Sequence, residues 1–132
     1  MQHNGMKDAI AAGTPDVSLS PTPNWADIVT AGDVTPMQQL LGIDSRITIG
    51  VTTSAMPVYV AVTVYIGTSN NVVVAKAYPI ALGVQANFDV MPGMWMGFAA
   101  DDGGNGVTGT IQVKNVSNSN TVLDTINVII SA

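Results

Sequence analysis

Hydrophobic and polar residues alternate with a period of two along most of the chain beyond residue 46. In residues 58–66, every second residue is Val or Ile, and the residues between them are Tyr, Ala or Thr. This period matches the spacing of side chains on one face of a β-strand. Turn-forming segments separate further stretches of this kind near residues 47–51, 72–78, 80–90, 94–98, 107–113 and 122–130.

A series of short strands without intervening helices predicts an all-β fold. We expect an antiparallel β-sandwich of about seven to eight strands, either jelly-roll or immunoglobulin-like. One short helix is predicted near residues 36–41, because Thr35, Pro36 and Gln38 follow the capping-box pattern. Gly42 then stands where helices commonly end.

The first part of the chain differs in amino-acid composition from the rest. Residues 1–24 carry two glycines and three prolines among Ser and Thr, and proline favours extended backbone on its N-terminal side. We therefore predict an extended N-terminal arm over residues 1–24 and a β-sandwich domain over residues 25–132. An arm of this kind can add a strand to a neighbouring sheet.

Charged residues make up only 10% of the 132 residues, and the net charge is -5, whereas about 25% charged is ordinary. Four basic residues are too few to neutralise a run of phosphates, so no nucleic-acid partner is expected. The chain has no Cys and one His, which excludes a cysteine nucleophile and multi-histidine metal sites. No apolar run reaches membrane-spanning length. We expect no enzyme activity, no cofactor and no membrane partner.

All nine acidic residues are Asp, and most lie beside predicted turns. The predicted strands are therefore almost neutral. Monomers that stay free in solution usually carry more charge and protect their sheet edges. The pattern is typical of surfaces that other subunits cover, and it predicts an assembly subunit and a homo-oligomer.

The segment from Asp101 to Asn105 offers carboxylate and carbonyl oxygens, which are the ligands that Ca²⁺ prefers. Its spacing lacks the terminal Glu of an EF-hand loop. Asp, Asn and Gly in this order are also typical of a tight hairpin turn, which is the favoured interpretation. No pair of the Asp residues is marked out as the acid and base of a glycosidase.

The strand near residues 94–98 carries large side chains on both faces, because Trp95 alternates with Met94, Met96 and Phe98. Only one face can fill the core of a sandwich. The other face is expected at a subunit contact or under a covering loop. Most of the seven aromatic residues are expected in the core. The arm, this strand and the tyrosines nevertheless give the candidate interface residues Val17, Leu19, Trp25, Tyr59, Tyr65 and Trp95.

The layout of residues 46–130 resembles small β-sandwich virion proteins of tailed bacteriophages, namely head decoration (cement) proteins and fibre modules. The likeness is carried by VTVYI at 62–66, a polar turn, YPIALG at 78–83, a Gly-initiated apolar strand from Gly93 and a Gly-rich hairpin at 101–106. Where such modules often have Gly-Asp, this chain has Gly93-Met94.

The resemblance implies a non-enzymatic virion structural protein. Most directly it implies a capsid decoration protein that bridges neighbouring subunits of the major capsid protein. Such a protein is made in the host cytoplasm and resides on the capsid surface. The alternative is a carbohydrate- or receptor-binding module of a phage fibre, using Trp95 or the tyrosines together with the 101–106 loop.

Overall fold

Two four-stranded sheets face each other in the computed structural model, which describes residues 15–132. Two single turns of 3-10 helix, Val72–Val74 and Val116–Asn118, lie in loops between strands. The eight strands are β1 Gln38–Gln39, β2 Ile47–Ser54, β3 Ala61–Gly67, β4 Lys76–Ile80, β5 Ala86–Val90, β6 Trp95–Asp101, β7 Val107–Asn115 and β8 Thr121–Ile130.

Sheet I has the strand order β1-β6-β3-β4, and sheet II has the order β5-β2-β7-β8. Every ladder between these strands is antiparallel. Only β3–β4 and β7–β8 join consecutive strands of one sheet, and each other connection crosses between the sheets. The predicted fold class, an antiparallel β-sandwich of seven to eight strands, is confirmed.

The core is built from alternate residues of the four strands at the centre of the two sheets. Their inward side chains are almost fully buried, while the residues between them reach the outer faces. This is the arrangement that a period of two predicts for two packed sheets. The inward set comprises Ile47, Ile49 and Val51 of β2, Val62 and Val64 of β3, Met96, Phe98 and Ala100 of β6, and Ile111 and Val113 of β7.

The strand registers define two ends of the sandwich. Ala61 pairs with Asp101 and Val62 pairs with Ile80, so these residues mark one end of sheet I. We call this the top end, and it carries the loops of residues 55–60, 81–85 and 102–106. The opposite bottom end carries the loops of residues 40–46, 68–75, 91–94 and 116–120.

Residues 25–40, which we call the strap, close one narrow side of the sandwich. The strap first follows the edge of β8, where Ile28 forms a parallel bridge with Val128. It turns at residues 30–33 and returns along β6, where the Thr35 N–H donates to the Phe98 carbonyl at 2.9 Å. Both sheet edges on this side are therefore hydrogen-bonded, which removes their tendency to pair with other strands.

Trp25 anchors the start of the strap between the two sheets. Its side chain is only 3% exposed and meets Phe98 edge-on, with 5.0 Å between ring centroids. Its indole N–H donates to the Met96 carbonyl at 2.8 Å. A large aromatic ring whose N–H has a hydrogen-bond acceptor is well suited to a core position.

The prediction of a helix near residues 36–41 is wrong, because Gln38 and Gln39 form strand β1. The Thr35 hydroxyl accepts a hydrogen bond from the Phe98 N–H at 3.1 Å instead of capping a helix. The Leu40 N–H donates to the Met94 carbonyl at 2.7 Å. A helix of one or two turns is costly to nucleate, so pairing with β6 prevails.

Several strand boundaries also differ from the prediction. The strand expected at 72–78 begins only at Lys76, because Asn71 caps a 3-10 turn by accepting the Val73 N–H at 3.0 Å. The row expected at 80–90 is broken by a turn at Gly83, whose φ is +73°. In each case the residues form a turn, although the alternation of hydrophobic and polar residues would also fit a strand.

The described part of the predicted arm, residues 15–24, lies against the sandwich at its bottom end. The Ser20 N–H donates to the Leu41 carbonyl at 3.0 Å, and the Asn115 side-chain amide donates to the Val17 carbonyl at 2.6 Å. Leu19 is buried in the core. Residues 1–14 lie outside the described residues, and the division into arm and domain stays a prediction.

Replacing Trp25 should destabilise the protein strongly. Trp25→Ala removes a buried ring and its hydrogen bond, and we expect the free energy of unfolding to fall by about 3–5 kcal/mol. Urea unfolding followed by circular dichroism measures this loss. Trp95→Ala is the matched control, since Trp95 is only half-buried. Equal losses in the two variants would contradict an anchoring role for Trp25.

Candidate interaction surfaces

The six candidate interface residues fall into three separate places. Val17, Leu19 and Trp25 lie in the N-terminal segment and the strap, Tyr65 and Trp95 lie on the outer face of sheet I, and Tyr59 lies at the top end. The fold does not bring the three groups together. Each group is therefore a separate candidate surface.

Within the N-terminal group, Val17 is half-buried, Leu19 is 8% exposed and Trp25 is 3% exposed. All three side chains pack against the core of their own chain. In this arrangement they hold the N-terminal segment on the sandwich. Contact with another subunit would require this segment to leave its own sandwich, and that role stays a prediction.

Tyr65 and Trp95 share the outer face of sheet I. Tyr65 lies opposite Gly97, and Trp95 lies opposite Gly67, so the two rings occupy diagonal positions on neighbouring strands. Large side chains can reach each other across such a diagonal. Both residues are half-buried and so remain available in part to a ligand or a second protein.

The strap covers the middle of this face at Gly97. A Cβ atom at Gly97 would lie 2.7 Å from the Met37 sulfur and 3.1 Å from the Thr35 carbonyl oxygen. Only glycine allows this close approach. The second face of β6 is expected either at a subunit contact or under a covering loop. A covering loop is what the structure has at Gly97, and Trp95 lies at the border of the covered area.

Tyr59 belongs to a firmly held loop at the top end. Its hydroxyl donates to the Gly106 carbonyl at 2.8 Å, which ties the 55–60 loop to the 102–106 loop. Ala55 has a φ of +61°, a conformation that side-chain-bearing residues rarely adopt. Gly109 permits the loop to fold onto β7, since a Cβ there would lie 2.7 Å from the Ser54 carbonyl oxygen.

The loop from Asp101 to Gly106 is built as a turn. The Asp102 carboxylate is 1% exposed and accepts the Gly104 N–H at 3.0 Å and the Gly106 N–H at 2.7 Å. Asp101 accepts the Gly103 N–H at 2.9 Å. The hydrogen bonds from Gly104 and then Gly106 hold the pKa of Asp102 below its ordinary value of 3.8, although burial raises it.

The oxygens of these carboxylates accept hydrogen bonds from backbone N–H groups of the same loop. Across residues 15–132, no group of three or more His, Cys, Asp or Glu side chains is placed to hold a metal ion. None of the helices in the same range is long and apolar enough to cross a membrane.

A cleft of about 180 Å³ lies between the two halves of the strap. Residues 26–30 and 33–36 line it, and Asp27 and Asp33 are the ionisable residues among them. The Asp27 carboxylate already accepts the Asn127 N–H at 3.0 Å. The hydroxyl of Thr35, another lining residue, accepts the Phe98 N–H at 3.1 Å.

Two features of these surfaces escaped the sequence prediction. The period of two predicts that Val58 lies on a strand face, but it is 97% exposed at the tip of the 55–60 loop. Pro57, which has no N–H to give to a ladder, was the available signal. Asn115 is 1% exposed and holds the Val17 carbonyl, while its side-chain oxygen has no hydrogen-bond partner within residues 15–132. No local pattern marks a residue of this kind.

Comparison with family models, with curated proteins and with solved structures finds no match to this chain.

The low pKa of Asp102 makes a testable contribution to stability. Asp102→Asn should lower the midpoint of urea unfolding at neutral pH, because a carboxylate with a depressed pKa stabilises the fold above its unfolded-state value. The difference from the wild type should disappear as the pH falls through the folded-state pKa. Asp101→Asn is the control, since Asp101 is exposed. A pH-independent difference would contradict this account.

Proposed function

We propose that the chain is a non-enzymatic structural subunit of a virion, most directly a capsid decoration protein that bridges neighbouring subunits of the major capsid protein. The observation that carries the proposal is the small number of charged residues in both sheets. Strands β2 and β3 contain no charged residue, and β4, β5, β6, β7 and β8 contain one each. Faces with so few charges favour a protein whose surface is covered by other subunits in an assembly.

The exposed apolar side chains support the same conclusion. Large hydrophobic residues lie exposed at both ends of the sandwich and on its outer surface. Scattered examples are ordinary on any protein, but here they occur in a chain of which only 10% of the residues are charged. They are Val29, Leu41, Val58, Tyr59, Val73, Val74, Val84, Met91, Val122 and Ile129.

The two narrow sides of the sandwich are unequal in a way that suits lattice assembly. The strap closes the side formed by β6 and β8, whereas β4 and β5 are the last strands of their sheets on the other side. Pro79 deprives β4 of one N–H donor, and β5 contains no proline. An unprotected edge strand can accept a strand from a partner, and many weak contacts on a lattice add avidity.

Binding to particles tests the proposal. The purified chain, mixed with particles assembled without it, should pellet with them and saturate at a fixed ratio to the coat protein. Removing residues 1–14 leaves the described contacts in place, and it should weaken this binding while leaving the unfolding curve unchanged if the arm is a tether. Unchanged binding would refute the tether, and no pelleting of the full chain would refute the decoration role.

A second candidate function, a carbohydrate-binding fibre module, is favoured by the diagonal placement of Tyr65 and Trp95 on one face. Aromatic rings on a sheet can form a platform for a sugar ring. This function predicts a signal on a glycan array that Trp95→Ala abolishes with the fold intact. Val73→Ala, away from this face, is the control. An array without signal would remove this candidate.

A further inference from the structure

The top end of the sandwich presents two apolar tips on neighbouring loops. Val58 is 97% exposed and Val84 is 61% exposed. The loops that carry them cross side by side between the sheets, because β2 lies next to β5 in sheet II and β3 lies next to β4 in sheet I. The two tips therefore belong to one surface.

Hydrogen bonds hold both loops in place without a partner. The Val60 N–H donates to the Pro57 carbonyl at 3.0 Å and closes the turn that carries Val58. The Gly83 N–H donates to the Thr53 hydroxyl at 2.8 Å and fixes the turn before Val84. A surface that is ordered before binding loses less conformational entropy on association.

The bottom end presents a second apolar pair. Val73 is 85% exposed and Val74 is 68% exposed in the 3-10 turn that precedes β4. Lys76 follows directly at the start of β4 and is also exposed. This surface therefore combines exposed valines with an adjacent positive charge.

Charge is distributed unequally between the ends. Within residues 15–132 all three basic residues, Arg46, Lys76 and Lys114, lie at or near the bottom end, where Asp16, Asp44, Asp89 and Asp124 also lie. The top end has only acidic residues in the same part of the chain. These are Asp33, Asp101 and Asp102.

We propose that the top end of one copy docks on the bottom end of a second copy, with Val58 and Val84 against Val73 and Val74. Lys76 of one copy then faces the acidic top end of the next, whereas a top-to-top contact would bring like charges together. A head-to-tail contact of this kind closes into a ring or extends as a filament. The inference rests on the proposed assembly function and adds which surfaces meet.

Sedimentation velocity over a range of protein concentrations tests the contact with two blocked variants. Val58→Asp blocks the top end and Val73→Asp blocks the bottom end, and both side chains are so exposed that folding should be unaffected. The wild type should form a concentration-dependent series of oligomers. Each variant alone should associate at least about tenfold more weakly. An equimolar mixture of the two variants should form dimers and nothing larger, because one competent contact remains.

Ile129→Asp on the outer face of β8 is the matched control and should associate as the wild type does. Lys76→Glu should weaken association, most clearly at low salt, where charge interactions are least screened. A wild type that stays monomeric overturns the contact, as do blocked variants that associate normally. If the monomeric chain still binds particles, the contact fails and the decoration role stands; if it binds neither, both fail.

Discussion

The closure of one side of the sandwich by the strap is the constraint on which the rest of the structure depends. Two packed sheets leave four edges, and each unpaired edge offers backbone groups to any other strand. The strap satisfies two of these edges within the chain, and Trp25 fixes it between the sheets through Phe98 and the Met96 carbonyl. Because that side is closed, contact with other molecules is left to the remaining edges, the outer faces and the ends.

The distribution of charge follows from the same construction. Asp residues serve turns and segment junctions, as Asp102 does for Gly104 and Gly106 and Asp27 does for Asn127. The carboxylates thus act locally on the backbone, and the strands carry few charged residues. The small number of charged residues in the sheets and the ordered apolar tips at the ends are the features on which the proposed assembly role rests.

The sequence predicts the strands well where one face is fully buried. Residues 62–66 and 107–113 alternate strictly, and their inward side chains are almost fully buried, because a fixed period of two selects one face. The prediction fails where distant pairing decides the backbone. The capping box at Thr35 is a sound local signal, but the Phe98 backbone competes for the same residue, and no local pattern reveals that partner.

The candidate surfaces show the same limit. Trp25 follows a proline-rich segment and is a candidate interface residue on the sequence, yet it is buried against Phe98 of its own chain. Val58 reads as a core residue, yet the turn at Pro57 places it at the top end. The burial of Trp25 and the exposure of Val58 depend on the path of the surrounding chain. The type of side chain at one position does not determine that path.

Native-state hydrogen exchange at the strap tests this account most directly. The amides of Ile28, Thr35 and Ile129 hydrogen-bond across the junctions between the strap and the sheets. If the strap is part of the cooperative fold, these amides should exchange with the same free energy of opening as the central amides of β2 and β7. Exchange many times faster at these three amides alone would show that the strap opens by itself, and would contradict its role as the closure of the sandwich.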